Sequence, residues 1–298
     1  MDLIRKCIRF REMLSSLTRR ELRQRYIGSI IGWPWPFLQP LIMLGVYYIV
    51  FVKLLEQKVP AEWGARISEA LGGDSAIGDT FSVLLLCCGL LPWLMTAEFL
   101  VRSSNTIPEN GNLVKKVAFP AELLSISLIS AYTVNLVVIF AVFCGITWFT
   151  TPFISNLVWM FPLVLICHVA FLLGLGYLLS TANVFVRDVN QLAPLVINLW
   201  FFLTPIVYVK ESILYANPDA GWVWIFDINP MAYMVDLYRY TLIFPEEIRW
   251  TVIDGKAVDV TIGDVWSLLG LFAAISFGTL IVGYLTFMAK KDKFADEI

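Results

Sequence analysis

Side chains able to do chemistry are few in this sequence, and their spacing matches no catalytic or metal-binding set. His168 is the single histidine and lies deep in an apolar run, where a hydrogen-bonded packing role is expected. The cysteines show no metal-ligand spacing and fit packing residues better than disulfides: they are Cys7, Cys87, Cys88, Cys144 and Cys167. The sequence therefore predicts no metal and no cofactor.

The sequence also lacks the motifs that nucleotide binding and acid–base catalysis require. The sequence contains no G-x-x-x-x-G-K-[ST] phosphate loop and no Ser/His/Asp or Cys/His set. Ion-driven transporters usually carry ionisable groups inside their spans, and the apolar runs of this chain are nearly free of them. We therefore predict that the chain is not an enzyme and that a separate molecule supplies its driving energy.

The composition indicates that the chain is built from membrane-spanning helices. Of 298 residues, 58% are hydrophobic and 15% charged, whereas soluble domains have about 45–50% and about 25%. Because a helix needs roughly 20 apolar residues to cross a bilayer, the long uncharged runs predict an all-α integral membrane protein. Its transmembrane domain is predicted over 29–289, with six spans near 30–52, 80–100, 123–149, 157–184, 190–209 and 265–288.

Charge is distributed unevenly along the chain. Residues 1–28 hold eight basic and three acidic side chains, and the 101–122 loop and the 290–298 tail are also rich in lysine or arginine. Segments 53–79 and 210–264 together carry seven basic and fourteen acidic residues. An excess of Lys and Arg marks the cytoplasmic side of a membrane. Both termini are therefore predicted to be cytoplasmic, as an even number of spans requires.

The segment 1–28 is predicted to be an amphipathic interface helix. A basic helix with an apolar stripe is expected to lie along the inner leaflet; the alternative is an electrostatic anchor that only sets the orientation. Thr18 and Glu21 have the spacing of a capping box, which predicts a second helix from Arg19. The stripe consists of residues at alternating spacings of four and three: Leu3, Cys7, Phe10, Leu14 and Leu17.

Two connecting segments have their own signals. In RYIGSIIGWPWPFLQP, residues 25–40, glycines, prolines and tryptophans predict an elbow from the interface into the first span, with Pro40 inside the helix. In the 101–122 loop, Asn112 is predicted to cap a short helix that runs to Phe119. This helix is either a docking element or an ordinary loop segment.

The segment 210–264 is the least regular. Asn229-Pro230 predicts the start of a helix of about 21 Å, too short to cross. With 222–226 it forms either re-entrant half-helices between spans five and six or a helix on the outer surface. Asp236 and Arg239 have the spacing of an ion pair, and Asp254-Gly255 predicts a hairpin turn.

Several motifs together resemble one family. In order, they are RYIGSIIGWPWPFLQPLI, GLLPWLMTAEFL, SSNTIPENGNLVKKVAFP, NVFVRDVNQLAPLVINLWFFLTPIVY and INPMAYMVDLYRYTLI. Over residues 15–288 their order and spacing are similar to the permease subunits of ABC exporters for bacterial polysaccharides. The relatives in question carry lipid-linked O-antigen, capsular polymer or teichoic acid. Segments 53–79 and 245–264 are longer than the family pattern.

The resemblance implies a homodimer with six spans per protomer in the bacterial inner membrane, bound to two copies of a separate ATP-binding subunit. It implies that polymer passes along the dimer interface, among membrane lipids, and it implies no nucleic-acid partner. It also implies that residues 3–25 contact the ATPase, as does a second set in the 101–122 loop: Asn112, Leu113, Val114, Lys115, Lys116 and Phe119.

The same resemblance identifies candidate substrate contacts. Arg23, Arg25 and Arg187 are candidates for the lipid pyrophosphate, which needs cations; Arg187 and Asp188 are otherwise a charged surface turn. Sugars bind weakly to aromatic faces, and the alternative for each aromatic residue is packing or a membrane-interface belt. The candidates for the polymer path are Trp33, Trp35, Tyr47, Tyr48, Tyr132, Trp200, Tyr208, Tyr233 and Tyr238.

The predicted function is export of an undecaprenyl-linked polysaccharide, with O-antigen as the leading cargo. The same architecture carrying capsular polysaccharide, teichoic acid or a drug is the nearest alternative. A membrane glycosyltransferase would need acidic or histidine clusters that this sequence lacks. In a non-transporting scaffold the aromatic residues would serve packing alone.

Overall fold

The computed structural model describes residues 2–24, 35–54, 75–115, 119–150, 154–208 and 256–297. Between 209 and 255 it describes 210, 213–214, 221–222, 224–244 and 249–253. These residues are mostly helical, and one two-stranded antiparallel sheet is present among them.

The N-terminal segment forms two consecutive helices, α1 (Asp2–Arg9) and α2 (Arg11–Gln24). Phe10 N donates to the Lys6 carbonyl at 2.9 Å, so the two are nearly continuous. The predicted apolar stripe packs on the core through Cys7, Phe10, Leu14 and Leu17. The predicted helix start at Arg19 is wrong. Helix α2 continues through Arg19, because its apolar stripe packs against the core.

The first apolar helix, α3 (Trp35–Tyr47), contains Pro40 as predicted and continues into a π-helical segment, Tyr48–Leu54. Together they give twenty consecutive helical residues, a length that reaches about 30 Å. Residues 25–34, which include the predicted elbow and Trp33, lie outside the described residues.

Long helices form the body of the protein. They are α4 (Ser75–Ser104), α7 (Glu122–Thr150), α8 (Phe161–Phe185) and α12 (Ile262–Lys290). Between α4 and α7 lie two single-turn helices, α5 (Thr106–Glu109) and α6 (Gly111–Val114). A 3-10 turn, Val158–Met160, precedes α8; another, Lys291–Lys293, leads from α12 into α13 (Phe294–Glu297).

Length and composition distinguish the spans. Among the described residues, four segments are long and apolar enough to cross a membrane: Phe81–Ser104, Glu122–Phe149, Val158–Phe185 and Ile262–Glu297. These coincide with predicted spans two, three, four and six. Shorter apolar helices, Leu38–Val50 and Val189–Leu203, coincide with spans one and five. The structure is therefore that of an all-α membrane protein, and α4 is its most enclosed long helix.

Shorter elements follow α9 (Val189–Leu203): α10 (Trp224–Ile228), α11 (Pro230–Leu242), β1 (Trp250–Ile253) and β2 (Lys256–Asp259). Asn229 caps α11 as predicted, since its side chain accepts from Met231 N at 3.1 Å. Helix α11 is buried against α4, α8 and α12, which favours the re-entrant alternative over a surface helix. Ile253 pairs with Lys256, so the strands form the predicted hairpin.

Helices α8 and α12 pack backbone to backbone. A Cβ built on Gly283 would lie 2.2 Å from the Gly174 carbonyl oxygen, and one on Gly174 would lie 2.5 Å from the Thr279 carbonyl carbon. Such distances leave no room for a side chain, and small residues are what allow helices to approach closely in membranes. The contact requires glycine at both positions.

We expect Gly283→Ala to destabilise the protein by about 2 kcal/mol, because the added methyl forces the two backbones apart. The measurement is thermal unfolding of the purified protein in detergent. Gly278→Ala is the matched control, since a Cβ on Gly278 meets nothing within 4 Å. Equal melting temperatures for the two variants would contradict the backbone contact.

Candidate functional site

The loop after α4 contains the residues that the sequence predicts to dock an ATPase. A single helix from Asn112 to Phe119 is wrong: α6 ends at Val114, and Lys116, Val117 and Ala118 lie outside the described residues. The cap position belongs to Asn110. The Asn110 amide donates back to the Thr106 carbonyl at 2.9 Å, so the chain turns there, two residues earlier than predicted.

Helix α2 is joined directly to this loop. Arg20 Nη2 donates to Asn110 Oδ1 at 2.8 Å, and Arg20 also lies 3.4 Å from Glu21 Oε1. We call α2 together with residues 106–115 the platform. Asn112 and Lys115 are exposed on it, whereas Leu113 and Val114 are half-buried and pack on the core. The structure thus combines in one surface the two segments that the sequence assigns to a partner.

An asparagine network connects the platform to the spans. Asn183 Nδ2 donates to Asn105 Oδ1 at 3.1 Å, and Asn190 N donates to Asn183 Oδ1 at 3.1 Å. Ser104 Oγ lies 3.1 Å from Asn190 Oδ1. These short side chains join the end of α4, the end of α8 and the start of α9 beside the loop.

A charged pair fixes α1 to the bundle. Lys6 Nζ donates to Glu122 Oε1, and Glu122 is 1% exposed at the start of α7. The Tyr177 hydroxyl donates to the Glu122 backbone carbonyl at 3.1 Å. Burial raises the pKa of the Cys7 thiol, and the Glu122 charge raises it further. The pair holds the start of the interface helix against the long helices.

Several aromatic candidates for the polymer path lie near α3 and α9. The Tyr47 and Phe201 ring centroids are 5.5 Å apart, and Lys53 Nζ lies 5.6 Å from the Tyr48 ring. Trp200 Nε1 donates to Asn229 Oδ1 at 2.8 Å, which ties α9 to the cap of α11.

The other aromatic candidates lie elsewhere along the chain. Tyr208 donates to the Phe202 carbonyl at 3.2 Å, and Tyr233 donates to the Asp227 carbonyl. Trp35 begins α3. Tyr132 is buried beside Phe99, with ring centroids 6.0 Å apart.

Tyr238 differs from the other candidates because it is fully buried. The Thr96 hydroxyl donates to the Pro92 carbonyl, so His168 Nε2, 2.9 Å away, donates to Thr96 Oγ1. His168 Nδ1 therefore accepts from the Tyr238 hydroxyl at 3.1 Å. The prediction of a hydrogen-bonded packing histidine is confirmed, and Tyr238 is a core residue rather than a surface for polymer.

The structure describes two of the three predicted cation sites. Arg23 is exposed on the last turn of α2, Arg187 is exposed before α9, and Arg25 lies outside the described residues. The predicted pair of Asp236 with Arg239 is wrong. Lys210 donates to Asp236, and Arg239 Nη2 donates to the Ile206 carbonyl at 3.1 Å, because α11 meets the chain after α9 on this side.

Apolar helices of membrane length define an integral membrane protein. Among the described residues, no group of three or more His, Cys, Asp or Glu side chains could hold a metal ion. The model of the ABC-2 type transporter family matches residues 12–243, and the chain belongs to that family. The match confirms the predicted class, an ABC transporter permease.

Curated relatives extend the similarity. The chain is 27% identical over 296 residues to the "O-antigen export system permease protein RfbA" of Myxococcus xanthus, covering 99% of each chain. It is 28% identical over 234 residues to a protein of the same name from Klebsiella pneumoniae, covering 76% of this chain and 79% of the relative.

The environment of Cys7 yields a pH prediction. A raised pKa keeps the thiol protonated to higher pH, so its alkylation begins at higher pH than that of an ordinary cysteine. Glu122→Gln removes the negative charge, so the Cys7 pKa falls and alkylation begins at lower pH.

The measurement is mass spectrometry of the Cys7 peptide after brief iodoacetamide treatment across the pH range. Glu297→Gln, an acid-to-amide change at the other end of the chain, is the control. An unchanged Cys7 profile in Glu122→Gln would contradict the assignment of the charge effect.

Proposed function

We propose that the chain is the permease subunit of an ATP-driven exporter that moves an undecaprenyl-linked polysaccharide, most closely an O-antigen, across the bacterial inner membrane. The observation that carries the proposal is the similarity over 99% of the chain to a relative named as an O-antigen export permease. The family match supports transport rather than catalysis by this chain. ATP hydrolysis is assigned to a separate subunit.

The proposed assembly contains two copies of this chain and two ATPase subunits. Each protomer crosses the membrane six times, with α3 and its π-helical extension as span one and α9 as span five. Twenty helical residues reach about 30 Å, which suits a crossing. Both termini then lie in the cytoplasm, consistent with the basic residues of the platform.

The platform is the proposed ATPase-docking surface. Its support is geometric: the Arg20–Asn110 hydrogen bond places α2 and the α5–α6 loop in one surface, and the asparagine network links that surface to α4, α8 and α9. A partner that binds there can displace several helices together. Asn112, Leu113, Val114, Lys115, Lys116 and Phe119 belong to this surface in the proposal.

The polymer path is proposed along the interface between the two copies. Candidate contacts are the predicted aromatic residues other than Tyr132 and Tyr238, which are buried: Trp33, Trp35, Tyr47, Tyr48, Trp200, Tyr208 and Tyr233. Exposed apolar residues on α3 and α9, such as Leu41, Val46, Val196 and Leu199, offer the surfaces for the second copy and for lipid. Arg23, Arg25 and Arg187 remain candidates for the lipid pyrophosphate.

Charge reversal of the platform tests docking. In the double variant Lys115→Glu with Lys116→Glu, we expect co-purification of the ATPase subunit to fall at least severalfold. The introduced carboxylates repel acidic groups of the partner and remove the ion pairs that the lysines would form with them. Lys53→Glu reverses a charge at the end of the π-helical segment after α3 and serves as the control. Undiminished ATPase recovery with the platform variant would refute docking at this surface.

Depletion of the protein tests the cargo. We expect lipid-linked polymer to accumulate on the cytoplasmic face and surface polymer to fall, because synthesis continues without export. The measurement is glycan analysis of spheroplast and surface fractions, with plasmid-borne wild-type protein as the restoring control. Normal surface polymer after depletion would exclude polysaccharide export and leave a drug or another cargo.

A further inference from the structure

A shallow cavity opens between α2 and α7. Its volume is about 380 Å³, within the roughly 300–1,000 Å³ of small-molecule sites. Helix α2 supplies most of its described lining, and Ser130 of α7 lies on the other side. Ser130 is two turns from the start of α7, about 12 Å along the helix axis. The cavity therefore lies near the end of α7 where Lys6 meets Glu122.

The polar side of this cavity is positively charged. Arg11, Ser15 and Arg19 follow one another at spacings of four, so they form one row along α2. None of the described lining residues is acidic, because Glu12 lines an adjoining cavity with Ser16 and does not reach this one. Neither arginine forms an ion pair with another described residue. Two guanidinium groups are thus available for an anion.

The groups around the arginines suit a phosphate. Guanidinium groups bind phosphate oxygens through paired hydrogen bonds, and the hydroxyls of Ser15 and Thr18 can donate further ones. The Ser130 hydroxyl donates to the Ile126 carbonyl at 2.7 Å, so it offers no hydrogen to an anion. Its small side chain instead leaves the cavity open on the α7 side.

An apolar stripe leads away from the cavity along α7. Val134, Val138 and Val142 follow Ser130 at successive spacings of four, so they lie on the same side of the helix. They are 47%, 41% and 48% exposed. Leu14 and Leu22 add apolar contacts inside the cavity. A ligand seated there therefore meets cations at one end and a continuous hydrocarbon surface at the other.

We infer that this cavity binds an anionic phospholipid, whose headgroup phosphate contacts Arg11 and Arg19 and whose acyl chain lies along the valine stripe of α7. A soluble phosphate would leave the stripe unused, and a zwitterionic headgroup would bring a cation towards the arginines. The cytoplasmic leaflet is rich in anionic lipids, which basic amphipathic helices attract. The bound lipid contacts α2 and α7 together, and the inference does not depend on the exported cargo.

The test measures lipid binding to the purified full-length permease by native mass spectrometry. The probes are dioleoylphosphatidylglycerol and dioleoylphosphatidylcholine, which share their acyl chains and differ in headgroup charge. We expect the wild type to bind phosphatidylglycerol about tenfold more tightly. The double variant Arg11→Gln with Arg19→Gln is expected to lose this preference, because hydrogen bonds to a charged phosphate are worth about 1.4 kcal/mol or more, a tenfold change.

A charge-matched control separates a defined site from general attraction. Arg5→Gln with Arg9→Gln removes the same number of charges from exposed positions of α1 that do not line the cavity. General attraction would fall equally in both double variants, whereas a defined site depends on Arg11 and Arg19 alone. Equal weakening in the two double variants would overturn the inference, and so would equal affinity of the wild type for the two lipids.

A second variant tests the cavity without changing any charge. Ser130→Phe fills the α7 side, and we expect it to weaken phosphatidylglycerol binding about as much as loss of the arginines. Val282→Phe adds the same bulk to the exposed face of α12 and is the control. Wild-type affinity in Ser130→Phe would refute the cavity, and melting temperatures of all variants identify any that unfold.

Two competitors distinguish the source of the phosphate. Glycerol 3-phosphate carries the headgroup phosphate without acyl chains, and we expect it not to displace phosphatidylglycerol at equal concentration; displacement would assign the site to a soluble phosphate. Undecaprenyl phosphate that competes more strongly than phosphatidylglycerol itself would assign the site to the polymer carrier. Either result would overturn the phospholipid assignment and leave the proposed function intact.

Discussion

The need to satisfy polar groups in apolar surroundings governs this structure. A buried polar group without a partner costs free energy, and the cost is highest where water is absent. The chain meets this constraint with side chains that reach between helices: Lys6 to Glu122, Arg20 to Asn110, and Thr96 through His168 to Tyr238. Each bond satisfies a polar group and fixes one element against another.

These bonds determine how the platform relates to the spans. The apolar stripe of α2 packs on the core, but burial of apolar surface does not favour one orientation of the helix. Hydrogen bonds are directional, so the Arg20–Asn110 bond and the network of Asn105, Asn183 and Asn190 fix the relative positions of the helices that they join. Backbone contact of α8 with α12 through glycines packs that pair of helices closely. A force applied at the platform would therefore reach the ends of α4, α8 and α9 through short, directional contacts.

The proposed exporter agrees with this arrangement. In the proposal a separate ATPase supplies the energy, and the platform joins the two segments assigned to that partner. Aromatic residues near α3 and α9 are proposed to offer weak, repeated contacts, which suit a sliding polymer better than one deep site.

The sequence by itself determined the membrane class, the long spans, the Asn229 cap and the β1–β2 hairpin, because hydropathy, capping and turn signals depend on neighbouring residues. Tertiary structure decided the polar partners. Thr18 lies inside α2 instead of capping a new helix, because α2 packs on the core. Asp236 pairs with Lys210 instead of Arg239. The Gln39 amide donates to Glu98, which lies 59 positions farther along the chain. Such contacts depend on how helices meet in space, which local periodicity does not specify.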